Sequence, residues 1–236
     1  MFHKENVIIG SNDIGANFEL RLASFFKIMQ DVIMHDSDER HIGYDVLRKK
    51  NLIWVVTRIQ LEIIRMPKYE EEVRAITYPD KFMKVFYPRH FRLETLNGEP
   101  LIKFSSIWVL LDATSRKPIM YYPFDDVLPE CHLDDELSLP PKVEVNDGEL
   151  VEIRKIHYSD VDLNNHLNNT RYIEILSDVH DSSFYNEHQV KKVTINYVKE
   201  IKEGSSVEVY SSKGNPECIQ IKSDDQLAFV ASVEYK

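Results

Sequence analysis

Ile59–Ala75 reads IQLEIIRMPKYEEEVRA, and Val193–Val209 reads VTINYVKEIKEGSSVEV. The two stretches align without a gap, 134 positions apart. Each alternates apolar and polar residues, turns at KYEEE or KEGSS, and resumes with Val73 or Val207. Period-two alternation broken by a polar turn is the pattern of strand, turn, strand. The chain therefore reads as a duplication.

A second pair lies upstream. Asp13–Asn17, DIGAN, aligns with Asp162–His166, DLNNH, 149 positions on. This alignment sets Asp13 against Asp162, Gly15 against Asn164 and Asn17 against His166. Both runs follow a short β-like segment, Val7–Ile9 or Val151–Ile156, and precede an apolar helical stripe. The first stripe is Leu22, Phe25, Phe26, Met29, Val32 and Ile33; the second is Tyr172, Ile175, Leu176 and Val179. One apolar stripe on a polar helix predicts packing against a sheet. Asn97-Gly98 is a hairpin signal joining His90–Leu96 to Leu101–Leu111. On the latter, Ile102, Phe104, Ser106, Trp108 and Leu110 share one face. Lys213-Gly214-Asn215 and Ser223-Asp224-Asp225 punctuate three further strands. Each half is thus an α+β layer, one long helix on an antiparallel sheet.

Between the halves, residues 123–149 hold four prolines and nine acidic residues against a single lysine, Lys142. Charge and proline oppose packing, which predicts a linker. The expected units are residues 1–124, a linker over 125–149, and residues 150–236.

Composition narrows the function. Of 236 residues, 43% are hydrophobic, enough for a core. The formal charge of −10 argues against a nucleic-acid partner. No apolar run approaches the roughly 20 residues that span a bilayer, so no membrane partner is expected. Cys131 and Cys218 are the only cysteines and lack metal-site spacing. With no leader-like start, a reduced cytoplasm is the expected location.

The chemistry concentrates in SDVDLNNHLNNTRY, Ser159–Tyr172. A calcium loop starting at Asp160 needs Gly at position six and Glu at position twelve, and the chain has Asn165 and Arg171 there. His35, Asp36, Asp38 and His41 also cluster, but their spacing does not share one helix face. Asn168 or Asn169 suits a helix cap. Asp162, Asn164 and His166 recur at every second residue. In an extended segment they would share one face, directly before a helix N-terminus that can stabilise an oxyanion. The first half has no counterpart to His166, and Met66 stands opposite Glu200. By itself Glu200 reads as one exposed residue among Lys199, Lys202 and Glu203.

SDVDLNNHLNNTRYIEIL together with INYVKE, Ile195–Glu200, resembles the acyl-acyl carrier protein (acyl-ACP) thioesterases. In the first half FFKIMQD, IWVVTR and SIWVLLD extend the likeness. The resemblance implies a tandem, or double, hotdog fold and hydrolysis of fatty acyl-ACP in fatty acid synthesis, with no cofactor and no metal. It implies Asp162, Asn164, His166 and Glu200 as the catalytic set, Glu200 following Tyr197 in a Y-x-x-E context. Plant members carry Cys directly after that Glu. Here the position is Ile201, so a cysteine nucleophile is not expected. The first half would house the acyl chain, with Phe25, Met29, Ile33 and Trp108 as tunnel candidates. Arg154, Lys155, Arg171, Lys191, Lys192, Lys199 and Lys202 are candidates for docking the carrier. Alternatives are an acyl-CoA thioesterase and a non-catalytic acyl-binding module, and either a monomer or a homodimer fits.

Overall fold

A computed structural model of the chain describes residues 2–120 and 131–236. Residues 121–130, which hold the expected end of the first unit and start of the linker, lie outside the described residues.

The first half opens with β1 (His3–Ile8) and α1 (Leu22–Glu39), then a short α2 (Tyr44–Lys49). Four strands follow: β2 (Leu52–Ile63), β3 (Glu72–Pro79), β4 (Phe86–Thr95) and β5 (Pro100–Asp112). The second half repeats the order with β6 (Glu149–Lys155), α3 (Asn169–Ser177), α4 (Ser182–Glu187), β7 (Val190–Tyr197), β8 (Ser206–Ser211), β9 (Glu217–Ser223) and β10 (Gln226–Tyr235).

The strands form one ten-stranded antiparallel sheet in the order β1-β3-β4-β5-β2-β7-β10-β9-β8-β6. The order is a palindrome in duplicated strands, and β2 and β7 form the seam. Along that seam Ile59 pairs with Ile195, Gln60 with Thr194 and Leu61 with Val193. Gln60 and Thr194 are themselves counterparts in the 134-residue alignment. A pseudo-twofold axis therefore passes between them.

The turns follow their residues. Gly98 takes φ +90 at the tip joining β4 to β5, where a side chain would be strained. Asp224 and Asp225 both have positive φ between β9 and β10, the geometry of a tight hairpin. All six residues of the first helical stripe are buried. Of the second, Tyr172, Ile175 and Leu176 are buried. One apolar cluster runs through both halves, and α1 and α3 pack against each other across the seam.

Two features differ from expectation. The helix of the second half is only nine residues long. Asp178 closes it, and Asp181 starts α4 by accepting from the Phe184 amide. The described part of the acidic linker also packs. It crosses the sheet face opposite the helices. There Asp135 pairs with Arg92 and Lys103, the Ser138 carbonyl accepts from Ser105, and Asn196 Oδ1 accepts from the Val143 amide at 2.7 Å. Basic side chains on that face match the acidic strap, and buried Val143 anchors it against Cys218 and Val230. No helix among the described residues is long and apolar enough to cross a membrane.

Candidate functional site

Asp162, Asn164 and His166 do not lie on an extended strand. Val161 and Leu167 bridge each other, and the chain between them turns back with Asn165 at φ +61. Asn tolerates this left-handed conformation. Asp162 makes the turn: its Oδ1 accepts from the Asn164 amide at 2.8 Å and the His166 amide at 3.3 Å. Its Oδ2 lies 3.5 Å from Asn164 Nδ2. Asp162 therefore organises its neighbours through backbone amides as well as through the Asn164 side chain.

Glu200 arrives from β7. Two aromatic contacts hold that strand end beneath α3: Tyr172 stacks on Phe229 and meets Tyr197 edge to face. Burial pushes the hydroxyls of Tyr172 and Tyr197 well above the ordinary tyrosine range. Just past β7, the Leu167 amide donates to the Ile201 carbonyl at 2.7 Å, and His166 bridges Lys202. This pairing brings the two polar segments side by side. His166 Nε2 lies 3.4 Å from Glu200 Oε2.

Arg116, in the loop after β5, forms an ion pair with Glu200 Oε1. The first half thus contributes a charged group to the site, which the sequence reading missed. Partial burial, Arg116 and Lys202 hold the His166 imidazole below its ordinary pKa, and Asp162 opposes them. His166 is therefore a neutral imidazole near pH 7, able to donate at one ring nitrogen and accept at the other. The helix start is less open than expected. Asn168 caps α3 by accepting from the Thr170 amide at 2.9 Å, and its carbonyl accepts from the Arg171 amide.

The first half contains the same turn. Ile14 bridges Leu20, Phe18 has φ +61, and the Leu20 amide donates to the Pro67 carbonyl at 2.8 Å. Gly15 N to Glu19 O matches Asp162 N to His166 O, and Arg21 N to Asp13 O matches Asn168 N to Asp160 O. These matches set the two loops 147 residues apart, not 149. Gly15 therefore stands for Asp162, Asn17 for Asn164, and Glu19 for His166. Met66 still stands for Glu200. The carboxamide is present in both halves; the imidazole and the partnered carboxylate are in the second only.

Of the tunnel candidates, Phe25 and Met29 are packed in the core. Ile33 and Trp108 line a cavity of about 50 Å3 with Trp54, Tyr87 and Arg89, too small for an acyl chain as it stands. Among the docking candidates, Arg154 is engaged by Asp178 and Arg171 by Glu174. Asp36, next to His35 in sequence, is buried between Arg89 and Arg40 at 2.5 and 2.7 Å. Among the described residues, Asp80, His132 and Glu136 bring potential metal-ligand atoms within 4.8 Å, outside the His166 site.

Residues 1–124 match the acyl-ACP thioesterase N-terminal domain, and residues 144–233 match the acyl-ACP thioesterase C-terminal domain. The chain belongs to the acyl-ACP thioesterase family. Within that family it is 24% identical to oleoyl-acyl carrier protein thioesterase 2 of Arabidopsis thaliana, over 91% of this chain and 64% of the relative. It is 26% identical to a palmitoyl-acyl carrier protein thioesterase of Cuphea hookeriana, over 84% of this chain and 51% of the relative. The chain thus spans between half and two thirds of the length of these relatives. An acyl-ACP thioesterase from Bacteroides thetaiotaomicron superposes over 100% of this chain and 98% of its own, with a TM-score of 0.88 at 20% identity. The 12:0-ACP thioesterase from Umbellularia californica superposes over 100% of this chain and 97% of its own, with a TM-score of 0.83 at 19% identity. The fold is the double hotdog of this family.

Proposed function

We propose that this chain hydrolyses the thioester of fatty acyl groups carried on acyl carrier protein, releasing free fatty acid and ending chain growth. The observation that carries the reading is His166 Nε2 at 3.4 Å from Glu200 Oε2, within the half that matches the family's C-terminal domain.

In this reading Glu200 is the general base. It accepts a proton from a water whose oxygen attacks the thioester carbonyl carbon. Asn164 orients that water, and Asp162 holds Asn164 and the His166 turn. His166 orients the water or the thioester. The carbon–sulfur bond then breaks, and the departing thiolate takes the proton held by Glu200, directly or relayed through His166. First-turn amides of α3 not bonded to Asn168 would stabilise the oxyanion. General-base assistance is typically worth about 10² to 10⁴ in rate and one oxyanion donor about 10² to 10³. Arg116 positions Glu200 by holding the oxygen that His166 does not face. Both Arg116 and Glu200 are partly exposed, so their pairing adds little stability; orientation is its contribution.

With Arg154 and Arg171 engaged, Lys191 and Lys192 are the better candidates for meeting an acidic carrier. Reversing both charges is expected to raise KM for a carrier-bound substrate and leave a small thioester unaffected. Equal effects on the two substrates would remove docking from the account.

Thiol release from acyl-ACPs of graded chain length, beside matched acyl-CoAs, tests the function. Faster release from the carrier-bound series is expected. Preference for CoA would make the chain an acyl-CoA thioesterase. Acyl binding without thiol release would make it a binding module.

A further inference from the structure

A second cavity lies away from His166. It holds about 660 Å3 at the first half's copy of the turn. That volume falls within the roughly 300–1,000 Å3 of small-molecule pockets. Its floor comes from both halves: Leu22, Ala23 and Ile63 from the first, Leu176 and Val190 from the second. The pseudo-twofold explains its place. The first half's turn faces the end of the second half's α3, which has nine residues against the eighteen of α1.

The groups at this copy cannot perform the chemistry of the other. Glu19 and Met66 occupy the places of His166 and Glu200, and both line the cavity. Two other polar groups do face it. Arg21, the N-cap residue of α1, donates to the Asn12 carbonyl, and no carboxylate pairs with it among the described residues. His180 is held from behind. Its Nε2 lies 2.8 Å from Glu217 Oε2, and the Glu217 carboxylate is buried with the hydroxyls of Tyr235 and Ser211 as further partners. Phe184 stacks on the ring at 3.7 Å. An imidazole fixed on one edge presents its other nitrogen in one direction. Of the lining acidic side chains, Glu174 and Asp178 are engaged by Arg171 and Arg154, and Glu19 Oε2 accepts from Asn17 Nδ2 at 3.2 Å.

We infer that this cavity binds a free long-chain fatty carboxylate, with the head group at Arg21 and His180 and the chain along the apolar floor. The exposed guanidinium of Arg21 suits a carboxylate and not a neutral thioester, and with Glu19 and Met66 in the places of His166 and Glu200 the ligand is kept, not hydrolysed. The inference does not rest on hydrolysis. A chain that released no thiol would still bind, so the two readings fail separately.

The test uses the full chain. A diazirine-bearing hexadecanoate is photo-crosslinked and mapped by mass spectrometry, and hexadecanoate and hexadecanol affinities are measured by calorimetry below micelle formation. Label is expected in residues 15–24 and 176–190, and it should persist in Glu200→Ala. Loss of one charged hydrogen bond is worth roughly tenfold in affinity. Arg21→Gln should therefore weaken hexadecanoate by about that factor and leave hexadecanol unchanged. Ala23→Trp, which fills the cavity, should abolish labelling there while thiol release is retained. Label confined to peptides around His166, or unchanged hexadecanoate binding in Arg21→Gln, overturns the proposal. The Arg21→Gln arm stands even if Ala23→Trp fails to fold.

Discussion

Two loops of this protein, residues 13–21 and 160–168, share a backbone and differ in nearly every chemical group. Both turn through a residue at φ +61, both are clamped by a bridge between their ends, and both donate an amide to the chain just past a long strand. One carries Asp162, Asn164 and His166 beside Glu200; the other carries Gly15, Asn17 and Glu19 beside Met66. The comparison separates what the fold needs from what the chemistry needs. The fold needs the bridge, the turn and the leucine that follows. In the proposed reading, imidazole, carboxylate and the distant guanidinium of Arg116 serve the chemistry alone.

Substitutions can break the comparison at several depths. The largest effect is expected from His166→Ala, which should lower thiol release from acyl-ACP by at least about 10²-fold with the melting temperature kept. Unchanged turnover would remove His166 from the reaction. Asp162→Ala comes next. It strips the acceptor from two amides of the turn, at about 1 kcal/mol each, and should reduce both turnover and stability. Gly15 at the matching position shows that the turn survives without the carboxylate, so the protein should still fold.

Arg116→Gln should act more gently. Losing a charged contact to Glu200 is worth about tenfold in kcat. The same change removes a cation that holds the His166 pKa down. The imidazole should then protonate at higher pH, and the acid limb of kcat/KM should move upward. A limb that stays in place would mean that another group governs it.

The smallest effect sharpens the structural side. Phe18 holds φ +61 with an exposed ring, whereas Asn165 holds the same angle with a side chain that tolerates it. Phe18→Gly should stabilise by about 1 kcal/mol, and Asn165→Gly by much less. Calorimetric melting of the pair reads the difference directly. Equal shifts would mean that the two turns are not equivalent.

Much of this was legible in the sequence. The 134-residue repeat appears because apolar alternation survives in both halves, and it correctly pairs Gln60 with Thr194 at the axis. The helical stripes and the Asn97-Gly98 hairpin follow from period and turn chemistry. The loop register was misread by two residues. Short polar loops carry no periodic signal, and matching Asp13 to Asp162 by identity outweighed the anchoring pair Leu20 and Leu167. Arg116 was invisible for another reason. It is a single basic residue in a surface turn, and only the folding of β5 beside the seam brings it to Glu200. The acidic strap reads as an unpacked linker because charge and proline oppose packing, whereas its partners Arg92 and Lys103 share a face that only the sheet order defines.

The most direct test sets the two halves against each other. Thiol release from hexadecanoyl-ACP is measured for Glu200→Gln and Glu19→Gln side by side, with melting curves to show that both fold. The account predicts a fall of at least about 10²-fold for Glu200→Gln and a rate within twofold of the parent for Glu19→Gln. Equal losses in the two variants, or full activity in Glu200→Gln, would contradict it.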